Sequence, residues 1–155
     1  MNTPLTRATF TFPVRVYWED TDAGGIVFYA NYLKFFERAR TEWLRDLGIG
    51  QQVLREQTGG MFVVSETQVK YHRPARLDDR LLVTAQLADI GRVSMTIAQT
   101  ALCTPEQDTA APGAPTAQAL LCEGHIRIGW VDAATLRPAR IPAHVAALLQ
   151  STAAV

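Results

Sequence analysis

Between residues 10 and 18 apolar side chains recur at every second position. Phe10, Phe12, Val14, Val16 and Trp18 share one face; Thr11, Arg15 and Tyr17 share the other. A period of two predicts a half-buried strand. The period then changes. Tyr32, Phe36, Ala39, Trp43 and Leu47 recur at steps of three or four, with Lys34, Arg38, Thr41 and Arg45 between them. That spacing predicts a helix over 31–47. Leu33, Phe35 and Leu44 widen its apolar face, so it should be covered on more than one side. Asn31 stands where an N-cap belongs, because its side chain can accept from an orphan N–H of the first turn. Gly48 is the expected stop, and a shorter helix is expected from about 49 to 56.

The remainder reads as strands. Val63, Ser65, Thr67, Val69 and Tyr71 alternate with Glu66, Gln68, Lys70 and His72. Leu81, Val83, Ala85 and Leu87 mark the next strand, and Val93, Met95, Ile97 and Ala101 another. Leu120, Cys122, Ile126, Ile128 and Trp130 mark the last. Residues 74–79 connect the first two of these strands, and Gly91 marks a tight turn. The stretch TPEQDTAAPGAPTA (104–117) has no period and reads as a solvated hairpin connection. Residues 142–150 can form a short helix. A first strand, an apolar helix and a four-strand meander predict an α+β domain over 1–155, an antiparallel sheet wrapped on one helix.

Composition narrows the function. Fifteen basic and fifteen acidic residues balance, which argues against nucleic-acid binding through clustered Lys and Arg. The first residues lack a charged start followed by an apolar run, and no stretch approaches the roughly 20 residues of a membrane span. A cytoplasmic protein with no transmembrane segment is expected. Cys103 and Cys122 fit no metal spacing. A hairpin around 104–117 would set Cys103 near residue 118 and Cys122 near residue 99, too far apart for a disulfide. His72, His125 and His144 are isolated in sequence, so no metal site is expected. No G-x-S-x-G elbow, GxGxxG or P-loop is present.

One segment remains, EDTDAGGIVFYANY (19–32). Glycine lets the backbone take positive φ and lets a ligand approach closely. The helix after it exposes its first N–H groups, and its dipole adds about half a positive charge there. One such donor on a developing oxyanion is worth about 3 kcal/mol. The segment can therefore supply a carboxylate and an oxyanion donor, the two halves of acyl transfer. A carboxylate with a pKa near ~4 is a weak base at neutral pH, so an activated carbonyl such as a thioester suits it better than an amide. The same residues also make an ordinary acidic turn entering a helix.

RVYWEDTDAGGIVFYANYLKFFERARTEWLRDLGI resembles the opening of the hotdog-fold acyl-CoA thioesterases, the 4-hydroxybenzoyl-CoA thioesterase-like family. The nearest branch is similar to the Tol-Pal-associated acyl-CoA thioesterases, which YHRPARLDDRL (71–81) and GRVS (91–94) also resemble. The resemblance runs from about 13 to 145, with 104–117 as an insertion. It implies a helix wrapped by about five antiparallel strands. It also implies a homodimer or homotetramer with continuous sheets, active sites at the subunit interface, and an acyl-CoA substrate with no separate cofactor. Asp22 corresponds to the catalytic aspartate, and the backbone N–H near Tyr29 to the oxyanion donor. Gly25 and Asn31 fall in the implied substrate-binding loop, and Arg92 near the CoA phosphates. Arg73, Arg76 and Arg80 are further candidates for that anionic end. Glu19 and Asp20 are expected to be structural.

The chain departs from that branch at Tyr29, where a His is usual. A backbone donor survives the change; an imidazole role does not. Short aliphatic, long aliphatic and aromatic acyl groups therefore all stay open. So do two other functions: a hotdog hydratase or dehydratase, and a non-catalytic module holding acyl carrier protein or an envelope-complex partner.

Overall fold

The computed structural model describes residues 8–104 and 118–152. Its elements are β1 (Phe10–Arg15), a 3-10 turn (Trp18–Asp20), α1 (Asn31–Asp46), α2 (Gln51–Thr58), β2 (Gly60–Tyr71), β3 (Arg80–Ile90), β4 (Ser94–Thr104), β5 (Ala119–Asp132) and α3 (Ala143–Gln150). The strands form one antiparallel sheet in the order β1-β3-β4-β5-β2. Most of the 104–117 connection lies outside the described residues.

Helix α1 crosses the sheet against β1, β3 and β4. Phe35, Phe36, Ala39, Trp43 and Leu44 bury into one core with Leu81, Val83, Leu87, Met95, Ile97, Ile126 and Ile128. Each such large apolar side chain contributes about 1.5–3 kcal/mol by leaving water. A polar tie fixes the helix to the sheet as well. Gln99, only 1% exposed, donates from Nε2 to the carbonyls of Phe36 (3.0 Å) and Thr84 (3.1 Å). Its Oε1 accepts from Arg40 Nη1 at 2.9 Å.

Several expectations are corrected. β1 ends at Arg15: the Val16 N–H still donates to the Asp79 carbonyl, but the Val16 carbonyl accepts from Asp78, one step out of register. Trp18 therefore leaves the apolar face and stands 80% exposed. Leu33 stays exposed on α1, and Val93 in the β3–β4 turn. The four later strands are not a simple meander. β2 pairs with β5 at one end of the sheet, and residues 72–79 cross from there to β3. That crossing spans three strand spacings of about 4.8 Å, too wide for a hairpin turn.

β2 carries a bulge. Val64 pairs with Ile128 and Glu66 with Arg127, leaving Ser65 without an opposite residue. A one-residue insertion reverses the facing of everything beyond it. Phe62 and Val69, of opposite parity, both pack on the core for that reason. A second irregularity leaves Leu121 extra on β5, and Leu121 and Cys122 are both buried. It also sets Cys122 opposite Ala101 and Cys103 opposite Ala119, a shorter offset than a regular hairpin gives. Both cysteines are free thiols.

Candidate active site

The segment after β1 folds back on itself through Asp20. This side chain is 7% exposed, and its Oδ2 accepts the Tyr17 N–H at 2.8 Å. The Asp20 carbonyl accepts the Phe28 N–H (3.0 Å) and Asn31 Nδ2 (2.9 Å). One residue thus gathers the 3-10 turn, the glycine loop and the start of α1. Its carboxylate is spent on its own backbone, which makes it a structural group.

Asp22 faces the other way. Its N–H donates to the Ile26 carbonyl (2.8 Å), and its carbonyl accepts the Gly25 N–H (3.0 Å). Thr21 and Val27 bridge just outside. Gly25 takes φ +78°, as required of the last residue in this kind of tight loop. The Asp22 side chain is exposed, and Oδ1 accepts the Gly24 N–H at 2.8 Å. Oδ2 has no partner among the described residues. A Cβ on Gly24 would stand 3.2 Å from Oδ1, so the glycine leaves the carboxylate its place.

The helix start corrects one expectation. Ala30, not Asn31, is the N-cap, and no side chain caps this end. Asn31 is the first helical residue, and its amide donates to the Asp20 carbonyl instead of accepting from the first turn. The Asn31 N–H gives to the Phe28 carbonyl at 2.9 Å. The N–H groups of Tyr29 and Ala30 give to no acceptor among the described residues. They lie at the positive end of a sixteen-residue helix.

Beside them is a cavity of about 270 Å3 whose lining includes Ile26, Val27, Tyr29, Tyr32, Tyr71 and Arg73. The rings of Tyr29 and Tyr32 meet that of Tyr71 edge-on, at 6.2 and 5.6 Å between centroids. The Tyr32 hydroxyl accepts the Ala75 N–H (3.0 Å), and the Tyr71 hydroxyl donates to the Tyr29 carbonyl (2.9 Å). Burial raises both phenols above their ordinary value. A larger concavity, about 650 Å3, lies on the outer face of the sheet among Glu66, Gln68, His125 and Arg127.

The structure thus gathers Asp22, Gly25, Tyr29 and Asn31 around one loop and helix start. Arg92 is elsewhere. It lies in the β3–β4 turn, and β3 runs from Arg80 beside the site to Ile90 beside that turn. Ten steps of strand separate them by roughly 30 Å. Arg73 and Arg76 are at the near end: Arg73 lines the cavity, and Arg76 bridges with Ile26. Sequence reasoning missed Tyr71 as part of the site, because alternation alone places it only in a strand.

Other chemistries find little here. Cys122 is fully buried, and burial pushes its thiol up to about 12. His72 pairs with Glu123 at 3.3 Å. Among the described residues no three metal-ligating side chains cluster, and no helix is long and apolar enough to cross a membrane.

A long helix wrapped by an antiparallel sheet, with a carboxylate loop at the helix start, defines a hotdog protein. The sequence profile of the Thioesterase-like superfamily matches residues 16–149, and the chain belongs to that family. It is 38% identical over 138 residues to the acyl-CoA thioesterase YbgC of Haemophilus influenzae, covering 89% of this chain and 92% of that one. It is 37% identical over 147 residues to the acyl-CoA thioester hydrolase YbgC of Escherichia coli O6:H1, covering 95% and 97%. Among solved structures, a probable thioesterase from Bartonella henselae superposes with a TM-score of 0.73 at 28% identity, over 87% of this chain and 100% of that one. A 4-hydroxybenzoyl CoA thioesterase complexed with 4-hydroxybenzoyl CoA superposes at 0.79 with 19% identity, over 91% and 98%, a likeness of fold alone.

Proposed function

We propose that this protein hydrolyses acyl-CoA thioesters to the free acid and CoA, with Asp22 as nucleophile or general base and the Tyr29 N–H as oxyanion donor. The observation that carries this is the pairing at one helix start. Among the described residues an exposed carboxylate keeps one oxygen unpartnered, and an N–H group without an acceptor follows on the same loop. The names of the YbgC relatives agree with it.

The chemistry follows from the groups. On one route an Asp22 oxygen bonds to the thioester carbon, the oxyanion rests on the Tyr29 N–H, and collapse expels the CoA thiolate. Water then cleaves the mixed anhydride. On the other, Asp22 takes a proton from water as the water oxygen bonds to the thioester carbon, and collapse of the same oxyanion breaks the C–S bond and expels the CoA thiolate. Gly25 opens space for the substrate, and Asn31 fixes the loop under it. Neither route calls on a metal or on a cofactor beyond the substrate's own CoA. Acyl carrier protein is a second thioester carrier that the site could accept. We place the reaction in the cytoplasm, where the free thiols of Cys103 and Cys122 stay reduced.

We further infer a homodimer joined along β2, whose outer edge has no partner strand among the described residues. Antiparallel pairing of two β2 edges sets the Gly60 end of one beside the Tyr71 end of the other. The β3–β4 turn lies at the Gly60 end, because Ser94 and Val63 both pair with Gly129. The partner's Arg92 is thereby brought toward the end of the sheet that holds Asp22.

The test is thiol release from acetyl-, butyryl-, palmitoyl- and 4-hydroxybenzoyl-CoA. Asp22→Asn should remove most of kcat while leaving fold and assembly intact. Full turnover by that variant would refute the assignment. Loss of enoyl-CoA absorbance without thiol release would indicate a hydratase, and partner binding without turnover a carrier module.

A further inference from the structure

We propose that Tyr71 is a positioning residue for this reaction: its hydroxyl clamps the Tyr29–Ala30 peptide unit and so aims the Ala30 N–H, a second donor beside the Tyr29 N–H, at the oxyanion. The inference rests on the thioester-hydrolase reading above.

Tyr71 is the last residue of β2, forty-two positions along the chain from Tyr29. Its hydroxyl donates to the Tyr29 carbonyl at 2.9 Å, the single hydrogen bond of that side chain among the described residues. Water could satisfy a carbonyl in so open a loop. The phenol therefore adds direction and not mere satisfaction of a polar group. Tyr29 needs that direction, because its own ring is 63% exposed and does not anchor it by burial.

Peptide units are planar, so fixing a carbonyl fixes the N–H across the same C–N bond. The unit before Tyr29 is held by the Asn31 N–H on the Phe28 carbonyl. The unit after it is held by Tyr71. The first bond therefore aims the Tyr29 N–H, and the second aims the Ala30 N–H, which shares its peptide unit with the Tyr29 carbonyl. If the second is removed, the Tyr29–Ala30 unit can pivot and the Ala30 N–H swings with it. Hydrogen bonds weaken steeply as their angle closes, so a donor that swings loses stabilisation of the oxyanion. Burial raises the Tyr71 phenol, which keeps it a protonated donor throughout the neutral range.

The experiment compares Tyr71→Phe, Tyr71→Leu and Asp22→Asn on the best substrate of the four-member panel. Tyr71→Phe keeps the ring contacts to Tyr29 and Tyr32 and loses only the hydroxyl. It should lower kcat about tenfold, a fraction of the 100- to 1000-fold lost when a whole donor is deleted. KM should stay within about twofold of wild type, because the interaction acts in the transition state. Its melting temperature should match wild type, whereas Tyr71→Leu should lower both kcat and melting temperature. A wild-type kcat in Tyr71→Phe beside an inactive Asp22→Asn would overturn this inference alone. A raised KM at unchanged kcat would make Tyr71 a substrate contact and would also overturn it. Full turnover by Asp22→Asn would overturn the underlying reading and this inference with it.

Discussion

An asparagine at a helix start has two opposite uses. As an N-cap its side-chain oxygen accepts; at Asn31 the amide nitrogen donates, to the carbonyl of Asp20. Asn31→Asp separates the two. Aspartate caps as well as asparagine does, so a cap would tolerate the change. A lost donor sets a carboxylate oxygen against the Asp20 carbonyl, and stability should fall by about 1–3 kcal/mol. The drop would be read from the midpoint of a urea curve; an unmoved midpoint would restore the capping role. The residue types of the site were legible in the sequence, and the polarity of their bonds was not. Spacing places Asp20 and Asp22 alike beside the glycines. Only the fold turns Asp20 inward onto Tyr17 and leaves Asp22 exposed with an oxygen to spare.

At the scale of elements, periodicity found α1 to within one residue and every strand of the sheet. It failed where a strand carries one residue too many. The insertions at Ser65 and Leu121 reverse the pattern in mid-strand, and a period-two reading carries no sign of them. It also passed over Gln99, because a polar residue on a strand face is ordinarily assigned to water. In the structure Gln99 is the link between helix and sheet, and Arg40 is half-buried against it, its guanidinium pushed below the ordinary value by desolvation. Gln99→Leu removes the acceptor and both donations, leaving Arg40 without its partner. A loss of about 2–4 kcal/mol is expected. Adding Arg40→Met should return part of it, because removing both members of a part-buried polar pair costs less than removing one. Strict additivity of the two changes in a denaturation series would show that the pair is not coupled.

For the whole molecule, the separation of Arg92 from Asp22 becomes a question about assembly. Within one protomer roughly 30 Å of β3 lies between them, so one chain offers its own Asp22 no help from its own Arg92. A β2-joined dimer, twice the 17.1 kDa chain, would share them crosswise. Subunit mixing tests this directly. Asp22→Asn should be inactive, and Arg92→Ala should show a raised KM for acyl-CoA. In a mixed dimer with crosswise sites, one site carries both lesions and the other carries neither. Differently tagged variants, co-expressed and purified through both tags, should then turn over dilute acyl-CoA with the wild-type KM at about half the wild-type rate per dimer. If each Arg92 served its own chain, every site in the mixture would keep one lesion and the KM would stay raised. The sequence pointed to an arginine at this turn, yet a linear chain shows only distance along itself. The free edge of β2 is what could turn that distance into proximity.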